Sequence, residues 1–173
     1  KFNENLMNPI KIFRGSESNV LSRFYNAAKD NSLDVIIRIT GDNPLLDFRI
    51  INKLLNKIIN NKNDILYDYA STRVTKRTWP YGLDSEIFTF NALKKTINSI
   101  TSDEEKEHVT KYMMSQKSIF NLYEMKNIKD LSHLKVSVDT IEDFNKVYDI
   151  FKNLYPQNKK FSMNDILNYL GIT

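Results

Sequence analysis

The run Asp34-Val-Ile-Ile-Arg-Ile-Thr-Gly-Asp42-Asn-Pro-Leu-Leu-Asp47 decides the fold class. A β-branched stretch stops at Gly-Asp, turns at Asn-Pro, and restarts as a helix that Asp47 is placed to cap. Asp42 then stands at the carboxyl end of a buried strand, where open α/β sheets gather their ligands. The pattern returns in Leu134-Lys-Val-Ser-Val-Asp139-Thr-Ile-Glu-Asp143, with Asp139 at the tip of a second predicted strand. Two such aspartates meeting in space would suit a Mg²⁺ ion carrying phosphates, held by one or two carboxylates and the phosphates themselves. Each also has a plainer reading: Asp42 as a turn residue, Asp139 as a complement to the following helix dipole.

Outward from these two stretches, strands and helices alternate. The reading predicts strands over 10–13, 35–40, 64–69, 85–90, 119–125 and 134–138. Helices are predicted after Ser16 or Ser18, after Asp47, over 92–97 behind Asn91, from Ser102 to about Ser115, after Thr140 and after Ser162. Thr140 with Asp143, and Ser162 with Asp165, have capping-box spacing, which makes Glu142 and Asp143 helix-start residues rather than catalytic ones. Such alternation implies a sheet with helices on its faces. The block 72–125 breaks the regularity and is expected to form a small β-rich insertion within a single domain spanning 1–173.

With 173 residues the chain can bury a real core, and with no cysteine it has neither disulfides nor thiolate metal sites. Two histidines far apart in sequence disfavour a zinc centre. The net charge of +4 is scattered among acids and asparagines, so no nucleic-acid stripe is present. No run is long and apolar enough for a membrane span, and no signal peptide is evident; the expected location is the cytoplasm.

Several residues have two readings each. Arg38 lies inside an apolar strand, where a bare charge is costly, so its partner is either a protein carboxylate or a phosphate. Arg14-Gly15-Ser16 is either an anion-binding turn at a helix start or an ordinary capped turn. Asp84 and Glu86, two apart on one strand, face either a substrate or solvent. Glu104 and His108, four apart on a helix, make a surface pair on the plain reading.

Taken in order, Phe13-Arg-Gly-Ser-Glu17, Arg38-Ile-Thr-Gly-Asp42-Asn-Pro44, Tyr81-Gly-Leu-Asp84-Ser-Glu86, Glu107-His-Val-Thr110 and Val138-Asp139-Thr140-Ile-Glu-Asp143 resemble cytidylyltransferases of the spore-coat-polysaccharide type. These are relatives of the acylneuraminate and Kdo enzymes. The resemblance covers the chain to about Phe151. It implies a Rossmann-like, mostly parallel sheet of the nucleotide-diphospho-sugar transferase type. The implied activity is transfer of CMP from CTP to a sugar acid, with release of pyrophosphate.

On that resemblance Asp42 and Asp139 hold Mg²⁺ and, with Arg38, form the catalytic set. Arg14, Gly15 and Ser16 bind the nucleotide, while Asp84, Glu86, Glu107 and His108 face the sugar. The block 72–125, with Trp79, Tyr81, Phe88 and Phe90, is expected to contact sugar and to form a homodimer. The family's glycine- and arginine-containing phosphate loop has no counterpart here. The chain is therefore expected to correspond to the carboxyl-terminal two-thirds of the enzyme and to bind CTP weakly by itself. Lys111 where relatives often have Pro, and Tyr81 where many have Asp, bear on the sugar. A nucleotide-sugar-dependent glycosyltransferase on a similar sheet, and a non-catalytic binding domain, are the alternatives.

Overall fold

The computed structural model of the protein describes residues 10–60 and 66–172. Its elements run α1 (Val20–Asp30), β1 (Val35–Arg38), α2 (Phe48–Ile59), β2 (Tyr69–Ser71), β3 (Glu86–Thr89), α3 (Phe90–Ser99), α4 (Asp103–Glu107), α5 (Lys111–Ser115), β4 (Leu122–Glu124), α6 (Ile141–Leu154) and α7 (Met163–Tyr169). The four strands form one sheet in the order β1-β3-β2-β4. β3 is antiparallel to both neighbours and β2–β4 is parallel, so three strands point one way and one is reversed. The sheet is mixed and open.

Side-chain alternation along the strands separates two apolar layers. Tyr69 and Phe88 face α1, α3 and α5, packing with Leu21, Ala28, Leu93 and Met113. Ala70 and Ile87, their neighbours in the same register, face Leu54 and Ile58 of α2. Helices therefore cover both faces. Tyr69, Phe88 and Ile87 are fully enclosed, each worth roughly 1.5–3 kcal/mol in burial. A third core joins α2, α6 and α7 through Ile50, Val147, Ile150 and Ile166, with Trp79 and Val136 between them.

Asp47 fastens this third core. It caps α2 by accepting from the Arg49 N–H at 2.9 Å, and accepts from the Met163 N–H at the start of α7 at 3.0 Å. Both predicted capping boxes are formed, at Thr140–Asp143 and Ser162–Asp165.

Four predicted elements differ. Residues 10–13 form no strand; Ile10, Ile12 and Phe13 are exposed, and no described strand pairs with them. The strand predicted over 64–69 begins only at Tyr69, and residues 64 and 65 lie outside the described residues. Residues 134–138 make a single parallel bridge, Lys135 with Tyr81, and bend at Ser137, so they form no strand. The helix predicted from Ser102 to Ser115 splits into α4 and α5, because Val109 and Thr110 turn into the core between them. Two caps also move, to Asn19 for α1 and Thr89 for α3.

The block 72–125 is woven into the sheet, supplying β3 and β4 along with α3, α4 and α5. Its aromatic residues are largely used inside the chain. Trp79 and Phe88 are buried, and Phe90 stacks on Tyr25 at 5.6 Å. The conspicuous exposed apolar set lies instead on α6 and its cap: Ile141, Phe144, Tyr148, Phe151 and Tyr155, spaced three and four apart.

Candidate active site

The ends of the strands place the charged residues. Arg38 closes β1, Ser71 closes β2, Glu124 closes β4 and Glu86 opens the reversed β3, so all four lie at one end of the sheet. Beyond that end is a cleft of about 330 Å³, lined among others by Arg38, Asp42, Arg73, Arg77, Asp84, Glu86 and Asp139. It is the carboxyl end of the parallel strands, where ligand crevices form in such sheets.

Asp42, on the turn after β1, and Asp139, after the run 134–138, both line this cleft. The turn after β1 is closed by Asn43 N–H to Thr40 O at 3.2 Å, presenting Asp42. The Val138 N–H donates to the Asp42 carbonyl at 2.8 Å, which fixes the Asp139 segment against the Asp42 turn. Gly82 makes the neighbouring contact possible. With φ at +97°, it lies so close to residues 136–137 that an added Cβ would be 2.5 Å from both Ser137 N and Val136 C. Only glycine tolerates both the conformation and the approach.

The Asp139 carboxylate receives the Lys135 ammonium at 2.8 Å, and Asp143 takes the same ammonium. Hydrogen bonds to Asp139 first, then Asp143, raise the Lys135 pKa; the Lys135 contact in turn lowers that of Asp143. The Asp42 side chain has no hydrogen-bond partner among the described residues. Two hard oxygen donors with room for water and phosphate oxygens fit a Mg²⁺ ion brought in with a nucleotide. No cluster of three or more potential metal-ligating side chains exists among the described residues, so the protein alone offers no complete cage.

Arg38 has the protein carboxylate as its partner. Its Nη1 donates to Glu86 Oε2 at 2.5 Å across the β1–β3 register. The other oxygen, Glu86 Oε1, accepts from the Tyr69 hydroxyl at 2.7 Å and the Thr110 hydroxyl at 2.8 Å. Burial, then the Glu86 charge, pushes the Tyr69 pKa well above its ordinary value. Glu86 lines the cleft with its carboxylate held by three protein donors, Arg38, Tyr69 and Thr110. Asp84 lies just outside the strand and binds Arg77, whose Nη1 is 2.7 Å from each carboxylate oxygen. The Arg77 guanidinium carbon sits 3.7 Å from the Tyr81 ring centroid, a close cation–π contact.

Arg14, Gly15 and Ser16 lie on an exposed segment before α1 and do not line the cleft. Ser16 Oγ accepts from the Asn19 N–H at 3.0 Å, the plain capped turn. Glu107 and His108 are exposed at the end of α4 and are also absent from the cleft wall. Their neighbour Thr110 is the residue of that stretch that reaches inward, through Glu86. Glu104 pairs with Lys111 rather than with the His108 ring.

Sequence reasoning missed Arg73, Arg77 and Thr110. Both arginines sit in an aperiodic loop, where no spacing signals direction. Glu124 anchors that loop by accepting from the Val74, Thr75 and Lys76 N–H groups at 2.6–3.3 Å and from the Thr75 hydroxyl at 2.7 Å. Burial pushes the Glu124 carboxyl up, but the Thr75 bonds and the other two N–H donors outweigh it and bring it down to about 2. The Trp79 indole N–H to Met125 O, at 2.6 Å, holds the far end.

The sequence model of a family described as Cytidylyltransferase matches residues 4–168. An uncharacterised protein of Methanocaldococcus jannaschii is 38% identical over 146 residues, covering 83% of this chain and 57% of its own length. The spore coat polysaccharide biosynthesis protein SpsF of Bacillus subtilis is 26% identical over 146 residues, covering 82% of this chain and 57% of its own. The structure of a cytidylyltransferase from Leptospira borgpetersenii superposes with a TM-score of 0.83 at 31% identity, over 92% of this chain and 65% of the other. The chain thus spans a little over half the length of these two curated relatives.

Proposed function

The chain belongs to the cytidylyltransferase family, and from that premise we propose that the complete protein transfers CMP from CTP to a sugar acid used in polysaccharide synthesis. An acceptor hydroxyl oxygen forms a bond to the α-phosphorus, the hydroxyl proton is lost, and the bond to pyrophosphate breaks. The observation that carries this reading is the meeting of Asp42 and Asp139 in one cleft, joined through the Val138 N–H. Asp42 and Asp139 would hold Mg²⁺, which when bound offsets phosphate charge. Arg38, kept in place by Glu86, faces the same cleft as a positioned cation for charge developing on the phosphates.

No helix among the described residues is long and apolar enough to cross a membrane, and the protein is proposed to act in the cytoplasm. A homodimer belongs to the same proposal. The exposed stripe of α6 supports it, since the helix carries exposed Glu142 in its first turn and exposed Lys152 in its last. Antiparallel self-pairing would set acid against base.

The test is pyrophosphate release by the complete protein from CTP, Mg²⁺ and a panel of sugar acids. Asp42→Asn and Asp139→Asn are each expected to lower turnover by about 100-fold or more, with little change in Tm. Undiminished turnover in both variants would remove the aspartates from the chemistry.

A further inference from the structure

We propose that Lys135 is a tethered counter-cation for Asp139, so that the aspartate pair takes a divalent ion only together with phosphates. The inference rests on the transferase reading of this cleft and assigns a positioning residue to it. Asp139 lines the cleft and Lys135 does not. The ammonium therefore reaches the carboxylate from outside the cleft wall. Its contact falls on one oxygen: Asp139 Oδ2 receives Lys135 at 2.8 Å and accepts from the Ser137 hydroxyl at 3.4 Å. Oδ1 has no hydrogen bond among the described residues. One oxygen is held by the protein and the other is left to a ligand, the arrangement by which outer partners orient a metal-binding carboxylate.

A lysine–aspartate pair one helical turn apart at a surface is worth little by itself. Lys135 differs in being fixed at both ends. Its backbone is bridged to Tyr81, and its carbonyl accepts from the Lys146 ammonium at 2.8 Å. Its own ammonium is also bound by Asp143, whose side chain is only 17% exposed. Asp143 is the capping-box acid of α6 and accepts from the Asp139 and Thr140 N–H groups at 3.1 Å each. The helix start therefore fixes Asp143 in place and meets its charge, which leaves the ammonium to offset Asp139. Lys135 also keeps a partner when Asp139 turns to an ion, so it is never stranded and needs no large movement. With Asp139 offset, Asp42 is the one cleft aspartate without a cation. A single uncompensated carboxylate is a poor site for a bare Mg²⁺, which is held by carboxylates and substrate phosphates together.

Mn²⁺, a paramagnetic stand-in for Mg²⁺, would be titrated into the whole chain without nucleotide, the free ion being read by electron paramagnetic resonance. Lys135→Met keeps the stem and removes the charge. It is expected to bind Mn²⁺ about tenfold tighter than the parent, the scale of a partly screened neighbouring charge. Lys135→Arg, which restores a cation, is expected to bind as weakly as the parent. Lys135→Met combined with Asp139→Asn is expected to lose the gain, which assigns it to Asp139. A lysine that merely supported the start of α6 would lower Tm and leave Mn²⁺ affinity unchanged or reduced. Binding by Lys135→Met no tighter than that of the parent, including no binding by either, overturns the counter-cation. So does a gain in Lys135→Arg, or a gain that survives Asp139→Asn. Pyrophosphate release from CTP by the complete protein judges the transfer reading separately. A Mn²⁺ gain without release leaves the counter-cation standing and removes that reading; release without the gain does the reverse.

Discussion

Glu86 offers the sharpest test of how the cleft is held, because its carboxylate ties three strands and a turn together. Replacing it by alanine leaves three groups without their partner: Arg38 Nη1, the Tyr69 hydroxyl and the Thr110 hydroxyl. The Arg38 and Glu86 side chains are 23% and 13% exposed. Removing one member of a fully buried pair costs about 3–5 kcal/mol; the partial exposure of Arg38 brings that nearer ~2 kcal/mol. Tyr69 is fully buried, so its stranded hydroxyl adds about 1–3 kcal/mol. Glu86→Ala is therefore expected to lose about 4 kcal/mol, a large share of the roughly 5–15 kcal/mol of a typical domain.

Glu86→Gln separates the parts. Its amide oxygen still accepts from Tyr69 and Thr110, but no negative charge faces Arg38, so the expected loss is about 2 kcal/mol. Adding Arg38→Met to Glu86→Gln should restore part of it, because the unpaired cation leaves with its partner. Urea unfolding followed by Trp79 fluorescence reads all four proteins, provided the denaturant slope stays constant. If Glu86→Ala unfolds within 1 kcal/mol of the parent, the hub does not hold the sheet end. If Glu86→Gln keeps full stability but loses acceptor affinity, Glu86 faces the sugar after all.

Gly82→Ala should cost about 3 kcal/mol, since its Cβ meets two backbone atoms at 2.5 Å and its φ is +97°. It should lower turnover as well, by pushing residues 136–137 that lead to Asp139; a normal urea midpoint would refute the close contact. The Glu124 carboxyl drops from 4.5 unfolded to about 2 folded. Its contribution of about 3 kcal/mol is therefore complete above pH 4.5 and lost as pH falls through 2. Unfolding midpoints of the parent and Glu124→Gln measured from pH 6 to 2 should converge at the acid end; a constant gap would show that the carboxylate charge is not what anchors the loop. Sedimentation should find a dimer that Phe144→Lys with Phe151→Lys dissociates, both residues being exposed on α6; a parent monomeric at tens of micromolar would exclude self-pairing.

Local signals were legible in the sequence, and long-range ones were not. The two capping boxes and the Asp47 cap depend on residues a turn apart, and they formed as spaced. Asp42 and Asp139 share one cleft as the repeated motif suggested, but for a different reason: Asp42 follows β1, whereas 134–138 is no strand and is brought there by the Val138 N–H bond to the Asp42 carbonyl. Asp84 and Glu86 looked like one pair on one strand, yet their partners are Arg77 in a loop and Arg38 on another strand. Nothing at spacing two reveals that. The split between α4 and α5 has the same origin. Ser102 and the acids behind it signal a helix start correctly, but the helix yields where Thr110 turns to Glu86, a contact 24 residues away in sequence. The run 134–138 alternates like a strand, yet its backbone bonds go to Tyr81 and Asp42 rather than to a ladder.

The charge of the cleft is not the charge of the chain. The whole sequence carries +4, whereas the cleft wall sets three arginines against four carboxylates, a formal balance of 3 − 4, or −1. The chain's excess basic charge therefore lies outside the cleft, which is not a polyanion groove. Arg38 and Arg77 are each paired, and Asp139 shares Lys135 with Asp143, so the charged cleft residues without an ion-pair partner among the described residues are Arg73 and Asp42. A pairing of this kind holds charged groups in place without letting their fields dominate. Selectivity then rests on position. On the proposed reading, a phosphate chain would be admitted beside the aspartates only with its cation. A cleft that were simply positive would bind any anion in any place, and would not set an acceptor oxygen against a phosphorus atom.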